Sequence, residues 1–386
     1  MPPKQNFLFR QAKKLLVPVI AALLIAGGSQ AKAGQAAPPP QVTAPSAILM
    51  DASDGRVLWE KGARERRPIA STTKIMTAIL VMENLRSDDL VITSQRASEA
   101  GESELYLTPG EQRKVGELLY GLMLRSANDA AIVLAEKVAG SVEGFASLMN
   151  EKARGLGAID TNFSNPHGLK DGNHYSTAYD LALITRYALK NKRFADLVKT
   201  KSFVMDWPGN PFPRVCENHN RLLEMLPWAT GVKTGYTKEA GYCLVGSAEK
   251  EGLKLIAVVL GAGSGDATFD ETKAVLEWGF SNFERRQLVT RGTSYGTFSH
   301  PDSPDKTQLI STGGLAATVL KSSPALEKKI VLRKGLSLPL IRGQSLGKLV
   351  YREGARPLGE VSLIAMKGIS RPSLWRRLKI FLRSLW

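Results

Sequence analysis

Pro68-Ile69-Ala70-Ser71-Thr72-Thr73-Lys74, followed by Ile75-Met76-Thr77-Ala78-Ile79-Leu80-Val81-Met82, is the stretch around which the chain is organised. A proline and a serine ahead of a nearly unbroken apolar run mark a helix start, and a helix apolar on every side is a buried one. The pattern therefore predicts Ser71 on the first helical turn. Residues three apart share a helix face, so the Ser71 hydroxyl and the Lys74 amine can meet beside the free N–H groups and positive dipole end of the helix N-terminus. That pairing offers a nucleophile with its base.

Alone, Ser-x-x-Lys is a weak signal, because it recurs at Ser29, Ser247, Ser303 and Ser345, and a serine cap with a lysine on a solvated face explains most such matches. Two other patterns sharpen it. Ser126-Ala127-Asn128 and Lys233-Thr234-Gly235 each occur once, and only Ser71 precedes both with a buried helix behind it. The three in this order resemble the motif set of the penicilloyl-serine transferases, which include β-lactamases and penicillin-binding proteins.

The 386 residues, 43% of them hydrophobic, predict two or three globular domains. Residues 1–33 combine four early cations, the apolar run from Leu15 to Gly27 and Ala31-Lys32-Ala33 as a cleavage pattern. They read as a secretory signal peptide, too short in its apolar part to span a bilayer. Residues 34–43, with Pro38-Pro39-Pro40, form a stiff linker. The net charge of +16 is concentrated at the ends: residues 1–33 and 371–386 carry five cations each and no acid, leaving +6 for the body. With export predicted and no nucleic-acid motif, that class of partner is set aside. The four histidines show no metal-binding pairing, and no cofactor is expected. Cys216 and Cys243 read as two buried free thiols, although an oxidising compartment permits a bridge and nothing in the sequence fixes their geometry.

In chain order, residues 46–51 and 56–60 around Asp54-Gly55 predict a β-hairpin. Residues 111–124, 129–138, 143–156 and 177–189 have helical patterns, with Ser126-Ala127-Asn128 in the connection between the first two. Residues 242–248 and 253–260 predict strands, with Lys233-Thr234-Gly235 opening or edging the first and Gly235 allowing a bound backbone to approach. Residues 271–284 predict a closing helix. The fold class is α+β: an antiparallel sheet built from both ends of residues 44–285 with a helical lobe inserted between them. A small all-β domain at 286–367 follows, with a spacing, docking or plain stabilising role. In the last 17 residues Leu374, Trp375, Leu378, Phe381, Leu382, Leu385 and Trp386 share a helical arc, with cations mainly opposite. About 24 Å of such a helix predicts anchoring of 370–386 in the membrane interface.

A lysine removes a serine proton only when its own amine is neutral, which needs burial or neighbouring cations. Lys74, at the top of an apolar helix and near Lys233, has both available. Ser126 is expected to bridge the two amines and pass a proton to the leaving group. Asn128 would bind the substrate amide, Lys233 and Thr234 a substrate carboxylate, and the N–H groups of Ser71 and Tyr236 would form an oxyanion hole.

From about residue 44 onward the chain resembles the D-alanyl-D-alanine carboxypeptidases, low-molecular-mass penicillin-binding proteins of the serine peptidase type. Ser71-Thr72-Thr73-Lys74, Ser126-Ala127-Asn128, Asn165-Pro166-His167-Gly168-Leu169, Asn218-His219-Asn220-Arg221-Leu222-Leu223 and Lys233-Thr234-Gly235-Tyr236-Thr237 through Ala240-Gly241-Tyr242 carry the resemblance. It implies a β-lactamase/transpeptidase-like fold, removal of the terminal D-alanine from peptidoglycan stem pentapeptides, acylation by β-lactams at Ser71, and Thr237 among the substrate-binding residues. It also implies a location at the periplasmic face of the cytoplasmic membrane. Two positions depart from the family pattern: Thr268 stands near an arginine that helps bind the substrate carboxylate, and His219 takes another basic position. A D,D-endopeptidase and a silent wall-binding scaffold remain as alternatives. A class A β-lactamase ranks low, because residues 161–172 contain no glutamate to activate a deacylating water.

Overall fold

The computed structural model describes residues 38–323, 326–373 and 375. The predicted leader and most of the predicted tail helix lie outside them. The chain opens with the expected hairpin, β1 (Ser46–Asp51) and β2 (Val57–Lys61), turning through Gly55 at φ +82°. A 3₁₀ turn, Ala70–Thr73, then feeds α1 (Lys74–Asn84). Ser71 thus sits in the tighter turn before the α-helix and not in its first turn.

The helical lobe follows: β3 (Leu90–Ile92), α2 (Gln95–Ser98), β4 (Gln112–Lys114), α3 (Val115–Tyr120), one π-helical turn over Gly121–Arg125, α4 (Asn128–Ala139), α5 (Val142–Gly155), α6 (Ala178–Ala188) and α7 (Lys192–Lys199). The helix expected from 111 begins at Val115, because residues 112–114 pair with β3 instead. Caps match the sequence elsewhere: the Ser141 and Thr177 side chains accept from Gly144 and Asp180 N–H at the starts of α5 and α6. A short hairpin, β5 (Ser202–Met205) with β6 (Arg214–Glu217), and α8 (Leu222–Met225) lead back to the sheet.

The main sheet is completed by β7 (Ala229–Thr237), β8 (Gly241–Lys250) and β9 (Leu253–Ala262), in the antiparallel order β2-β1-β9-β8-β7. β7 is a strand of its own, distinct from the 242–248 strand that the pattern has Lys233-Thr234-Gly235 open or edge. Lys233-Thr234-Gly235 lies inside it, on the sheet edge, in register with Val245, Leu244 and Cys243. Both sheet faces are buried, with the alternation of strand side chains dividing two cores. Ile48, Met50, Val245 and Val258 face the helical lobe and its α1 residues Ile75 and Met76. Ala47, Leu49, Leu244 and Val259 face α9 (Gly265–Asn282), represented by Val275 and Leu276. This helix starts six residues earlier than the pattern suggests, capped by the Ser264 hydroxyl on Ala267 N–H.

Beyond α9 the named elements among the described residues are all strands. β10 (Phe283–Val289) pairs with β13 (Leu315–Leu320), and β11 (Ser294–Ser299), β12 (Lys306–Ser311), β16 (Arg356–Ala365), β15 (Ser345–Glu353) and β14 (Glu327–Leu332) form a second five-stranded sheet in that order. A separate apolar core, including Leu346, Leu349 and Leu363, fills this region. No helix among the described residues is long and apolar enough to cross a membrane.

Candidate active site

The turn before α1 places the Lys74 Nζ 3.0 Å from the Ser71 Oγ. The same amine donates to Asn128 Oδ1 at 2.6 Å and to the His167 carbonyl at 2.8 Å. A neutral amine has two hydrogens and one lone pair, so these two acceptors leave the lone pair for the serine proton. Lys74 is fully buried. Burial first, and then the charge of Lys233, push its pKa well below the ordinary lysine value, against smaller opposing effects of Asp129 and Glu102. Lys233 is likewise buried and pushed down to about 7, its Nζ donating to the Thr234 carbonyl at 2.9 Å.

The serine turn is strained and braced. Ala70 has φ +45°, a region costly for a residue with a Cβ. Thr73 Oγ1 donates to the Ala70 carbonyl at 2.7 Å. His174 Nδ1 accepts from Ser164 N–H at 3.1 Å, which leaves the ring proton on Nε2 to donate to Thr73 Oγ1 at 2.7 Å. Burial lowers the His174 pKa to about 4, so this neutral form holds at neutral pH. Gly168 completes the brace: a Cβ there would lie 1.9 Å from the Ala70 oxygen.

From the helical lobe, the π-helical turn ends at Ser126, whose φ of +65° turns the chain before α4 begins at Asn128. Asn128 holds residues 101–103 across the cleft, donating from Nδ2 to Gly101 O at 2.9 Å and from its backbone to Ser103 O at 2.7 Å. The buried Asp129 carboxylate accepts from the N–H groups of Leu105, Leu107 and Ala130, and its pKa is raised because burial outweighs those bonds. From the sheet side, β7 packs against the serine turn so closely that a Cβ on Gly235 would stand 3.0 Å from Ser71 N. The Ser71 N–H has no hydrogen-bond partner among the described residues. Between these walls opens a cleft of about 330 Å³ lined by Ser71, Ser126, Asn128, Thr234, Gly235 and Tyr236, among others. A serine nucleophile, a buried amine base and an open cleft form a site for acyl transfer.

A family model described as D-alanyl-D-alanine carboxypeptidase matches residues 32–264. The chain belongs to that family. It is 35% identical over 337 residues to the D-alanyl-D-alanine carboxypeptidase DacF of Bacillus subtilis, covering 85% of this chain and 86% of that one. It is 33% identical to DacC of Escherichia coli, covering 88% and 87%. Among solved structures, penicillin binding protein 5 from Haemophilus influenzae superposes with a TM-score of 0.70 at 30% identity, over 87% of this chain and all of that one.

Against this carboxypeptidase-family background, the expected residues converge with two exceptions. Thr237 does not line the Ser71 cleft; its Oγ1 accepts from Ala240 N–H at 3.1 Å and it borders a neighbouring groove with Gly168 and Leu169. The Ser126 hydroxyl lines the cleft, but no hydrogen bond joins it to either lysine amine among the described residues, in contrast to the expected bridge. Thr268 lines the cleft without charge, its Oγ1 donating to Ser264 O at 2.9 Å. The competing match at Ser247 is a strand residue bonded to Thr230 beside a separate cavity of about 510 Å³, and Lys250, three residues on, lies across the strand. Cys216 and Cys243 are buried and free, their thiols pushed up to about 11 by burial. Sequence reasoning missed Asp129, His174 and the loop at 101–107; the acid and the histidine each lie close in sequence to segments that carry the resemblance.

Proposed function

We propose that this protein is a serine-type D-alanyl-D-alanine carboxypeptidase that releases the terminal D-alanine of peptidoglycan pentapeptides through an acyl-enzyme on Ser71. Neutral Lys74 takes the Ser71 proton as Oγ attacks the carbonyl carbon of the penultimate D-alanine. The developing oxyanion is held by the N–H groups of Ser71 and Tyr236. The C–N bond to the terminal D-alanine breaks, and its nitrogen receives a proton through Ser126 from the lysine pair. Water then cleaves the ester and restores Ser71. Asn128 binds the substrate amide, while Lys233 and Thr234 balance the terminal carboxylate and Gly235 lets the peptide backbone approach β7. β-Lactams acylate Ser71 by the same route.

The observation that carries this assignment is the fully buried Lys74 amine, with two acceptors for its hydrogens and the Ser71 hydroxyl at 3.0 Å. Endopeptidase action on crosslinks is the second reading, favoured by one feature: among the described residues no lysine or arginine lines the cleft, leaving the buried Lys233 to meet a free carboxylate. We place the protein outside the cytoplasmic membrane, exported by residues 1–33 and held at the periplasmic face by 370–386, with 286–367 as a spacer between anchor and catalytic region 44–285. Mass spectrometry of a muropeptide pentapeptide and of a crosslinked dimer, each incubated with the protein, tests the proposal. Loss of one D-alanine from the pentapeptide with the dimer intact is expected; cleavage of the dimer alone would move the function to endopeptidase.

A further inference from the structure

We propose that Glu102 makes this cleft selective for peptides carrying a free amine near the scissile bond, such as the side-chain ammonium of a diamino acid. The inference rests on the acyl-transfer function proposed above and adds a specificity element to it. Among the described residues lining the cleft, Glu102 is the only acid, and none is a lysine or arginine. Its carboxylate has no hydrogen-bond or ion-pair partner among the described residues. Glu104, two residues on, is by contrast engaged by Gly101 N–H at 2.7 Å.

The backbone holds this free charge in place. Gly101 and Glu102 have φ of +74° and +61°, so the chain makes a left-handed turn at the cleft wall, and a glutamate there accepts a conformation that glycine adopts more easily. Both neighbours are tied to the catalytic side of α4: Gly101 O accepts from the Asn128 side chain and Ser103 O from its N–H. Leu105 N–H is anchored on the buried Asp129. Glu102 is therefore presented by a fixed loop, next to the residue that also positions Lys74. Its field reaches that amine, where it opposes the lowering of the pKa. A fixed, unpaired anion at the rim of a cleft otherwise without exposed cations attracts an ammonium group and discriminates against an anion. Because Glu102 is exposed, water and salt limit the preference to a few-fold.

The test uses three matched peptides ending in D-alanyl-D-alanine that differ only in a lysine side chain: free, acetylated or succinylated. Each competes with a fluorescent penicillin for Ser71, which reads binding whether or not turnover occurs, and D-alanine release is followed in parallel. The free-amine peptide is expected to compete about three- to fivefold better than the acetylated one, with the gap narrowing at high salt. Glu102→Gln should bring that ratio to about one, and Glu102→Lys should reverse the order in favour of the succinylated peptide. Comparing ratios within one variant cancels any general effect on Lys74. A wild-type ratio of one, a ratio that survives Glu102→Gln, or failure of all three peptides to compete overturns the inference. Competition without D-alanine release would instead count against the carboxypeptidase function while leaving the Glu102 ratios readable.

Discussion

Replacing Lys233 by methionine should make the protein more stable and less active at the same time. The side chain is buried, and among the described residues its amine makes one hydrogen bond, to Thr234 O. Its pKa falls from 10.5 to about 7 because burial disfavours the charged form. At about 1.4 kcal/mol per pH unit, that shift amounts to about 4–5 kcal/mol of native-state cost. Methionine has similar length and no charge, and allowing for the lost hydrogen bond and imperfect packing, a gain of about 2–3 kcal/mol is expected. The pH dependence supplies the sign. Between about pH 7 and 10.5 the unfolded chain keeps a proton on this amine that the folded chain has released, so native stability rises with pH. The advantage of Lys233→Met should therefore be largest at or below pH 7 and shrink toward pH 10. The charge of Lys233 also helps to lower the Lys74 pKa, so its removal makes Lys74 a more protonated base and slows acylation. Urea unfolding of both proteins at pH 6.5, 8 and 9.5, with fluorescent-penicillin labelling alongside, reads both effects. Equal or lower stability of the variant at pH 6.5, or a difference that does not change with pH, would refute the reasoning.

Gly235→Ala should cut the rate of Ser71 acylation at least tenfold while costing only about 1 kcal/mol of stability, since the new Cβ meets Ser71 N at 3.0 Å and Thr72 N at 3.1 Å; stopped-flow labelling and unfolding curves check the two parts. Asp129→Ala strands three buried N–H donors, those of Leu105, Leu107 and Ala130, and should cost about 3–5 kcal/mol by denaturant unfolding. For peptide hydrolysis, kcat/KM should fall as pH rises through about 7, where free-enzyme Lys233 loses the charge proposed to balance the substrate carboxylate. A profile flat from pH 6 to 9 would contradict that assignment.

The candidate catalytic set was legible because its members report themselves locally. Ser71 and Lys74 share one turn ahead of an apolar run, and Ser126 and Asn128 flank a break between helical patterns. β7 was hidden because its sequence, Ala-Thr-Gly-Val-Lys-Thr-Gly-Tyr-Thr, has two glycines and a buried lysine where strand alternation would show apolar residues. A lysine buried at a core-facing position spoils the pattern. The start of α9 was hidden by Gly265, Asp266 and Thr268, weak helix formers that follow an effective cap at Ser264. Asp129 reads in sequence as an ordinary acid in a first helical turn; only the folded loop reveals three N–H groups converging on it. His174 lies 101 residues from Thr73, and nothing local announces that contact. The resemblance implies Thr237 among the substrate-binding residues; it stands at the end of β7, bordering the groove next to the Ser71 cleft.

Intact-protein and peptide mass spectrometry after incubation with benzylpenicillin tests the central claim most directly. One adduct is expected, located on Ser71, present in the wild-type chain and absent from Ser71→Ala, with Lys74→Ala slowed by orders of magnitude. An adduct that persists in Ser71→Ala, or that forms at wild-type rate without the Lys74 amine, would contradict the account.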